Sequence, residues 1–301
     1  MKKVSAGIDI GGTNTVFGWV ESNGDFIWKG KISTTDYAQP EEFVSEVSRQ
    51  LLDNLGNNEA VGVGIGAPNG NYYNGTIEFA PNLRWKGVVH LKELFNRHFD
   101  LPVLVTNDAN AAALGEMIYG GAKGVNNFIT VTLGTGLGSG IVSNGNLIYG
   151  HDAFAGELGH TIVNVDGREC GCGRKGCLET YASATGISKT AFEMTQKEWT
   201  SEQVAVAANN GEEWALKAFD KTAKILGFAL SNAVAITSPR VIFLFGGLAQ
   251  AGPLIFDSTR KYMEENLLEI YKNKIQILPS ALEGVDAAIL GASALVWKEI
   301  S

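Results

Sequence analysis

The sequence predicts an α/β protein of two sheet-plus-helix domains with a cleft between them. Three observations carry this. The chain has 301 residues, room for two domains at ~150 residues each. Short apolar runs alternate with stretches of helical periodicity in two successive series. Each series opens on the same device, a strand, a glycine-rich turn with a threonine, and a returning strand. Ile8-Asp9-Ile10-Gly11-Gly12-Thr13 opens the first and Leu133-Gly134-Thr135-Gly136 the second. Paired turns at the heads of two sheets suggest a ligand held in the cleft.

In the first series, residues 4–10, 16–20 and 26–33 read as strands, and Asn23-Gly24 marks a hairpin turn. Phe43, Val47, Leu51 and Leu55 recur at helical spacing after Pro40. Residues 61–65 read as a buried strand, 91–99 as a short helix, 103–106 as a strand and 109–118 as a helix. In the second series, 128–133 is a strand, 141–142 resumes the strand pattern, and Asn144-Gly145 marks another hairpin. Residues 181–237 are mostly helical, and 241–245 form an apolar strand running into Gly246-Gly247. Helix, strand and helix complete the chain, the last over 286–298.

Composition bounds the function. Hydrophobic residues make up 45% and charged residues 19%, as in an ordinary globular protein. The net charge is −8 and no basic stripe is present, which argues against nucleic acid as a direct partner. Met1-Lys2-Lys3 imitates the start of a signal peptide, but the apolar run after it is broken by Ser5 and Gly7 and ended by Asp9. That falls short of the ~7–15 apolar residues an export signal needs. No stretch approaches the ~18–20 apolar residues of a membrane helix. A cytoplasmic protein with no membrane partner is expected. Glycine is the outlier: Gly 37 of 301 is about 12%, against a usual ~7%, and much of it is clustered.

Those clusters suit phosphate. Glycine lets the backbone approach closely, so that successive N–H groups point at phosphate oxygens, and a threonine hydroxyl adds a donor. Asp9, at the end of the first strand, can orient waters around Mg²⁺. A single such turn also reads as a tight hairpin; two in matching places, with Gly246-Gly247 after a third buried strand, favour the ligand reading. Competing phosphate motifs fail. No G-x-x-x-x-G-K-[ST] is present. Gly171-x-Gly173-x-x-Gly176 lies among cysteines, and Gly62-x-Gly64-x-x-Ala67 runs into a Pro68-Asn69-Gly70 turn rather than a helix.

All three cysteines cluster with a histidine. His160, Cys170, Cys172 and Cys177 give H-x9-C-x-C-x4-C, a closed set typical of structural Zn²⁺ with no ligand position left for water. An odd, clustered set is a poor disulfide framework. The bland alternative is free buried thiols beside an unrelated histidine. Asn107 and Asp108 stand where a strand hands over to a helix, so one of them is expected as the N-cap; a carboxylate there stays ionised, as a proton acceptor must. Glu157 and Glu179 place two more carboxylates beside metal ligands, where the alternative is solvated surface charge. With Asn82, Asn107, Asp108 and His160 they supply the paired donors and acceptors that a sugar's hydroxyls require.

With these residues in view, the chain resembles the ROK family of sugar kinases and sugar-responsive repressors, within the hexokinase and actin-like ATPase superfamily. Asp9-Ile10-Gly11-Gly12-Thr13 and Leu133-Gly134-Thr135-Gly136-Leu137-Gly138-Ser139-Gly140 look like its phosphate motifs. Asn107-Asp108-Ala109-Asn110 looks like its catalytic motif, Gly246-Gly247 like its adenosine-side glycines, and Gly159 through Glu179 like its zinc signature. Within the family the pattern is most like bacterial zinc-containing glucokinases. The resemblance implies a two-domain actin-like ATPase (ribonuclease H-like) fold, with 1–107 plus 287–301 as the smaller domain and 108–286 as the larger one carrying the zinc loop. It implies ATP-dependent phosphorylation of the glucose 6-hydroxyl, in the carbohydrate metabolism of glycolysis. Asp108 is then the catalytic base. Asn82, Asn107, Asp108, Glu157, His160 and Glu179 bind sugar, and Asp9, Gly11, Gly12, Thr13, Thr135, Gly136, Gly246 and Gly247 bind the nucleotide with Mg²⁺. His160, Cys170, Cys172 and Cys177 hold structural Zn²⁺, and a homodimer is expected. Fructose, mannose or an N-acetylated hexosamine are the alternative substrates. The alternatives of another class are a sugar-responsive repressor, for which no helix-turn-helix precedes Asp9, and a non-catalytic sugar-binding protein.

Overall fold

Along β1 (Lys3–Ile10), Val4, Ala6, Ile8 and Ile10 alternate with Ser5 and Gly7, which gives the strand one apolar face and one face of small residues. The computed structural model, which describes residues 1–282 and 284–300, shows what each face is for. β1 pairs antiparallel with β2 (Asn14–Glu21), which pairs with β3 (Phe26–Ser33). After α1 (Pro40–Asp53), begun by a proline at its first turn, β4 (Glu59–Gly66) returns parallel to β1. A small three-stranded sheet follows, β5 (Gly70–Asn71), β6 (Thr76–Glu78) and β7 (Val88–Val89). Then come α2 (Leu91–Asn96), β8 (Val103–Thr106), parallel to β4, and α3 (Asp108–Ile118). The apolar face of β1 packs with Phe43, Val47 and Leu51 of α1 and Leu91, Leu94 and Phe95 of α2, all buried. Each such side chain contributes roughly 1.5–3 kcal/mol.

The second series repeats the plan. β9 (Phe128–Leu133) pairs antiparallel with β10 (Leu137–Ser143), which is flanked by β11 (Asn146–Leu147). Three helices follow: α4 (Ala184–Thr195), capped by the Ser183 hydroxyl; α5 (Ser201–Asn209), opened by a Thr200–Gln203 capping box; and the long α6 (Glu213–Thr237). β12 (Val241–Phe245) then lies parallel to β9. α7 (Pro253–Asn266) leads to β13 (Gln276–Pro279), parallel to β12, and α8 (Gly284–Ile300) ends the described chain. The strand orders are β3-β2-β1-β4-β8 and β11-β10-β9-β12-β13, so the two sheets share one topology. In each, a hairpin built around the glycine turn is extended by two parallel strands.

The chain divides into two compact units, 1–125 with 147–155 and 281–301, and 126–146 with 156–280. These limits differ from the expected 1–107 plus 287–301 and 108–286, for physical reasons. α3 joins the first unit because it packs on α8. Residues 147–155 join it because Tyr149 stacks on Tyr72, ring centroids 4.0 Å apart, and Tyr73 donates to the Gly150 carbonyl at 3.0 Å. Residues before 287 join it because the buried Glu116 of α3 accepts the Ala281 N–H at 3.1 Å. Ser301, the last residue of the expected segment, lies outside the described residues.

The small-residue face of the first sheet receives α8. A Cβ at Gly7 would collide with the Ile289 carbonyl oxygen, and one at Gly64 with that of Ala292. Ser5 and Ser293 share a 2.7 Å hydroxyl contact between the two elements. Gly7 and Gly64 thus serve a helix laid backbone-to-backbone on a sheet. Several expected elements also shift. The helix expected over 91–99 stops at Asn96, α3 begins at Asp108, and the strand expected at 141–142 starts at Leu137, so Gly138 and Gly140 are strand residues. Gly64→Val should push α8 off the sheet and cost about 1–3 kcal/mol or more, read as a lower urea midpoint with an unchanged denaturant slope.

Candidate active site

In the first unit the site starts at the β1–β2 hairpin. Ile10 pairs with Thr15, leaving residues 11–13 as the turn, closed by the Gly11 N–H on the Asn14 carbonyl at 3.0 Å. Asp9 precedes the turn on the strand. Asn82 lies against it: a Cβ at Gly12 would come 2.7 Å from the Asn82 carbonyl oxygen and 3.2 Å from its Cβ. β8 delivers the next group. Asn107 is the N-cap of α3 and its Oδ1 accepts the Asn110 N–H at 2.6 Å, so the cap falls on Asn107. That leaves Asp108 in the first helical turn, with Oδ1 accepting the Ala109 N–H at 2.8 Å. Gly66, at the end of β4, lies between the two aspartates: a Cβ there would sit 3.6 Å from Asp9 Oδ1 and 3.8 Å from Asp108 Cα.

Burial first, and the Asp108 charge second, push Asp9 up to about 7. Asp108 is also raised by desolvation, against the pull of backbone N–H groups including that of Ala109. Water reaches its side chain, so the group is wetted on one side while dense protein on the others keeps the local dielectric low. Two carboxylates set close together in a poorly solvated spot suit a cation and a proton acceptor.

In the second unit the β9–β10 hairpin presents residues 134–136, with Thr135 exposed. Gly246, at φ +104, ends β12 against the Leu133 carbonyl, so Gly246-Gly247 adjoin this turn. Glu179 stands in a 3-10 turn, Leu178–Thr180, and its Oε2 accepts the Leu137 N–H at 3.0 Å. A Cβ at Gly136 would collide with that carboxylate. Glycine here makes room for a neighbouring acid.

His160, Cys170, Cys172 and Cys177 converge, their ligand atoms all within 4.8 Å of one another. Cys172 and Cys177 sulfurs are 3.7 Å apart, far from a disulfide bond but near the ~3.8 Å expected for two ~2.3 Å Zn–S bonds in a tetrahedron. His160 turns Nδ1 to Cys170 Sγ at 3.7 Å and keeps Nε2 on the other side, 3.9 Å from Glu157 Oε2. Burial pushes the Cys172 thiol up, but Arg174 and the other two thiols outweigh it and bring it down to about 6; burial raises Cys170 and Cys177. A donor set of three sulfurs and one imidazole, one sulfur already easily ionised, fits Zn²⁺.

Each unit therefore gathers its own sequence-predicted residues: Asp9, Gly11, Gly12, Thr13, Asn82, Asn107 and Asp108 in the first, and Thr135, Gly136, Glu157, His160, Glu179, Gly246 and Gly247 in the second. Three features were not read from the sequence. Glu179 braces the Gly136–Leu137 backbone, Arg174 donates to the His160 carbonyl at 2.9 Å, and the exposed Phe79 adopts φ +51 just before the Asn82 loop. The sequence marks Glu179 and the Gly134-Thr135-Gly136 turn separately, and nothing in it joins the two.

Twin sheets of one topology, each headed by a glycine turn, with a carboxylate at a helix start beside the first turn, define an actin-like ATPase fold. A ROK family glucokinase from Streptomyces griseus, solved with glucose and AMPPNP, superposes with a TM-score of 0.82 at 30% identity, over 98% of this chain and 99% of that one. Residues 5–299 match the ROK family, and this chain belongs to it. A glucokinase of Halalkalibacterium halodurans is 34% identical over 97% of this chain and 94% of its own. The xylose repressor of Bacillus subtilis is 31% identical over 78% of this chain but 61% of its own. No helix among the described residues is long and apolar enough to cross a membrane.

Burial holds the Asp9 carboxyl well above the usual carboxylate range. An unfolded aspartate titrates near 3.9, so the folded state holds the extra proton and stability falls as pH rises from about 4 to 7. Asp9→Asn should therefore be more stable than wild type at pH 8, with the gap closing toward pH 4, in paired urea titrations. Metal analysis should find about one zinc per chain, and Cys172→Ser should lower both zinc content and melting temperature.

Proposed function

We propose that this protein transfers the γ-phosphoryl group of ATP to the 6-hydroxyl of glucose. The observation that carries the reading is the placement of Asp108 beside Asp9 and the first glycine turn, across Gly66. Family membership and the glucokinase relatives support it.

In this reading Asp108 accepts the proton of the 6-hydroxyl as its oxygen bonds to the γ-phosphorus and the bond to ADP breaks. The raised pKa makes Asp108 a better acceptor than a solvated carboxylate. Phosphoryl transfer depends mainly on positioning and charge stabilisation, which explains the number of backbone donors. Gly11, Gly12, Thr13, Thr135 and Gly136 offer N–H and hydroxyl groups to the phosphates, and Gly246 and Gly247 leave room for the adenosine. Asp9 would hold Mg²⁺, which would supply countercharge to the phosphates. Asn82, Asn107, Glu157, His160 and Glu179 take the remaining sugar hydroxyls. Asn107 spends Oδ1 on its helix cap and keeps Nδ2 for the sugar. His160 keeps Nε2 for the same purpose, and its Nδ1, which faces Cys170, would help hold a structural Zn²⁺. The family resemblance extends the reading to a cytoplasmic homodimer serving glycolysis.

Asp108→Asn should reduce kcat by roughly 10²–10⁴-fold while glucose binding, followed by calorimetry, stays measurable; near-normal turnover would reject the assigned base. The wild-type kcat/KM should fall as pH drops through about 7, where Asp9 takes up its proton. A panel of hexoses and donors ranks glucose and ATP first if the reading holds.

A further inference from the structure

The cysteines sit on a strap, 164–177, whose regular structure is limited to two isolated bridges, Ile162 to Cys177 and Glu169 to Lys175. Its backbone hydrogen bonds are mostly internal turns, such as Cys170 N–H on the Arg174 carbonyl and Gly176 N–H on the Arg168 carbonyl, so they shape the strap without tying it to α4. One arginine at its centre supplies that tie. Arg168 has only 12% of its side chain exposed. Its Nη1 donates to the Thr180 carbonyl at 2.5 Å and to the Gly186 carbonyl at 3.0 Å, and Nη2 donates to Thr190 Oγ1 at 2.8 Å. Nε donates to the half-exposed Glu193 at 2.7 Å. The guanidinium carbon lies 4.6 Å from the Tyr181 ring centroid, and the Tyr181 hydroxyl accepts the Arg168 backbone N–H at 3.0 Å.

Most of these donors go to neutral oxygens on the 3-10 turn and on α4, and only one goes to a carboxylate. The pattern fixes geometry more than it neutralises charge, and a planar fork with five donors is suited to it where a lysine is not. Thr180, gripped at its carbonyl, is the neighbour of Glu179. Glu179 in turn has one oxygen on the Leu137 N–H and the other 3.7 Å from Cys170 Sγ. A chain of contacts thus runs from Arg168 through the Leu178–Thr180 turn to Glu179 and on to the second glycine turn.

We propose that Arg168 is a positioning residue for phosphoryl transfer: it locks the cysteine strap to the turn that carries Glu179, and so sets that carboxylate for the sugar and for the Gly136–Leu137 backbone. The inference rests on the sugar-binding role proposed above for Glu179. It names a residue outside the metal ligands and outside the glycine turns.

The test is a kinetic cycle with Arg168→Met, Glu179→Gln and the double variant, each checked for zinc content and melting temperature. Arg168→Met should keep its zinc and raise the KM for glucose about tenfold, with a smaller rise in the KM for ATP and kcat changed less than either KM. In the Glu179→Gln background the same substitution should have little further effect on glucose KM, because its route is already cut. Arg168→Lys, which keeps the charge and stem but loses the fork, should move KM in the same direction and serves if the methionine variant does not fold. Lys221→Met, which removes the other cation on Glu193, should leave both KM values unchanged. A lowered melting temperature with unchanged KM in both Arg168 variants would reduce the residue to a structural tie, and additive effects in the cycle would overturn the route through Glu179. If Glu179→Gln itself leaves glucose KM at the wild-type value, the sugar role of Glu179 fails and the positioning role falls with it. If Glu179→Gln raises glucose KM and Arg168→Met does not, only the positioning role is lost.

Discussion

The first unit depends on one close approach, the backbone of α8 laid directly on β1 and β4. Gly7 and Gly64 make it possible, because a side chain at either would meet a helix carbonyl oxygen. The contact does more than bury area. α8 also supports α3, and α3 begins at Asp108. The position of the carboxylate relative to Asp9 is therefore set by how near a helix can come to a sheet. Packing at this density is intolerant of one added methyl group, and that intolerance keeps the two aspartates at a fixed separation.

The same rigidity explains why the pair is electrostatically costly. Asp9 is held near Asp108 in a place too poorly solvated to screen its own charge, and it takes up a proton at about 7. A fold free to relax would move the groups apart or solvate them. This one does not, which is the usual mark of a site arranged for a ligand rather than for stability. The second unit shows a milder form of the same arrangement. Glu179 occupies space that a side chain at position 136 would need, and accepts a backbone N–H of the turn it adjoins.

Much of this was legible in the sequence. Period-two alternation along β1, helical spacing along α1 and the two glycine turns suffice to place the sheets. The cysteine spacing marks the cluster of His160 with the three cysteines, and the asparagine–aspartate pair places the start of α3 to within a residue. What escaped was tertiary. The compact units divide near 125 rather than 107 because α3 packs on α8, and its alanine-rich sequence gives no sign of that partner. The return of Tyr149 to Tyr72 joins residues far apart in the chain, and neither neighbourhood announces the other. Arg168 stands among charged neighbours, and no periodicity separates a buried fork from a solvated one. The Glu179 contact with Leu137 belongs to the same class, since a motif names a residue and leaves open which backbone it braces.

The first unit is assembled from three stretches of chain, and the last of them follows the whole of the second unit. On the ribosome, the β1–β2 hairpin and its parallel strands emerge early with their glycine face uncovered, and they wait for about 150 further residues before the helix that seals them is made. The second unit has no comparable delay, since nearly all of its own core is contiguous. Synthesis therefore imposes an order of maturation, with the second unit able to set while the first stays open until α8 is made.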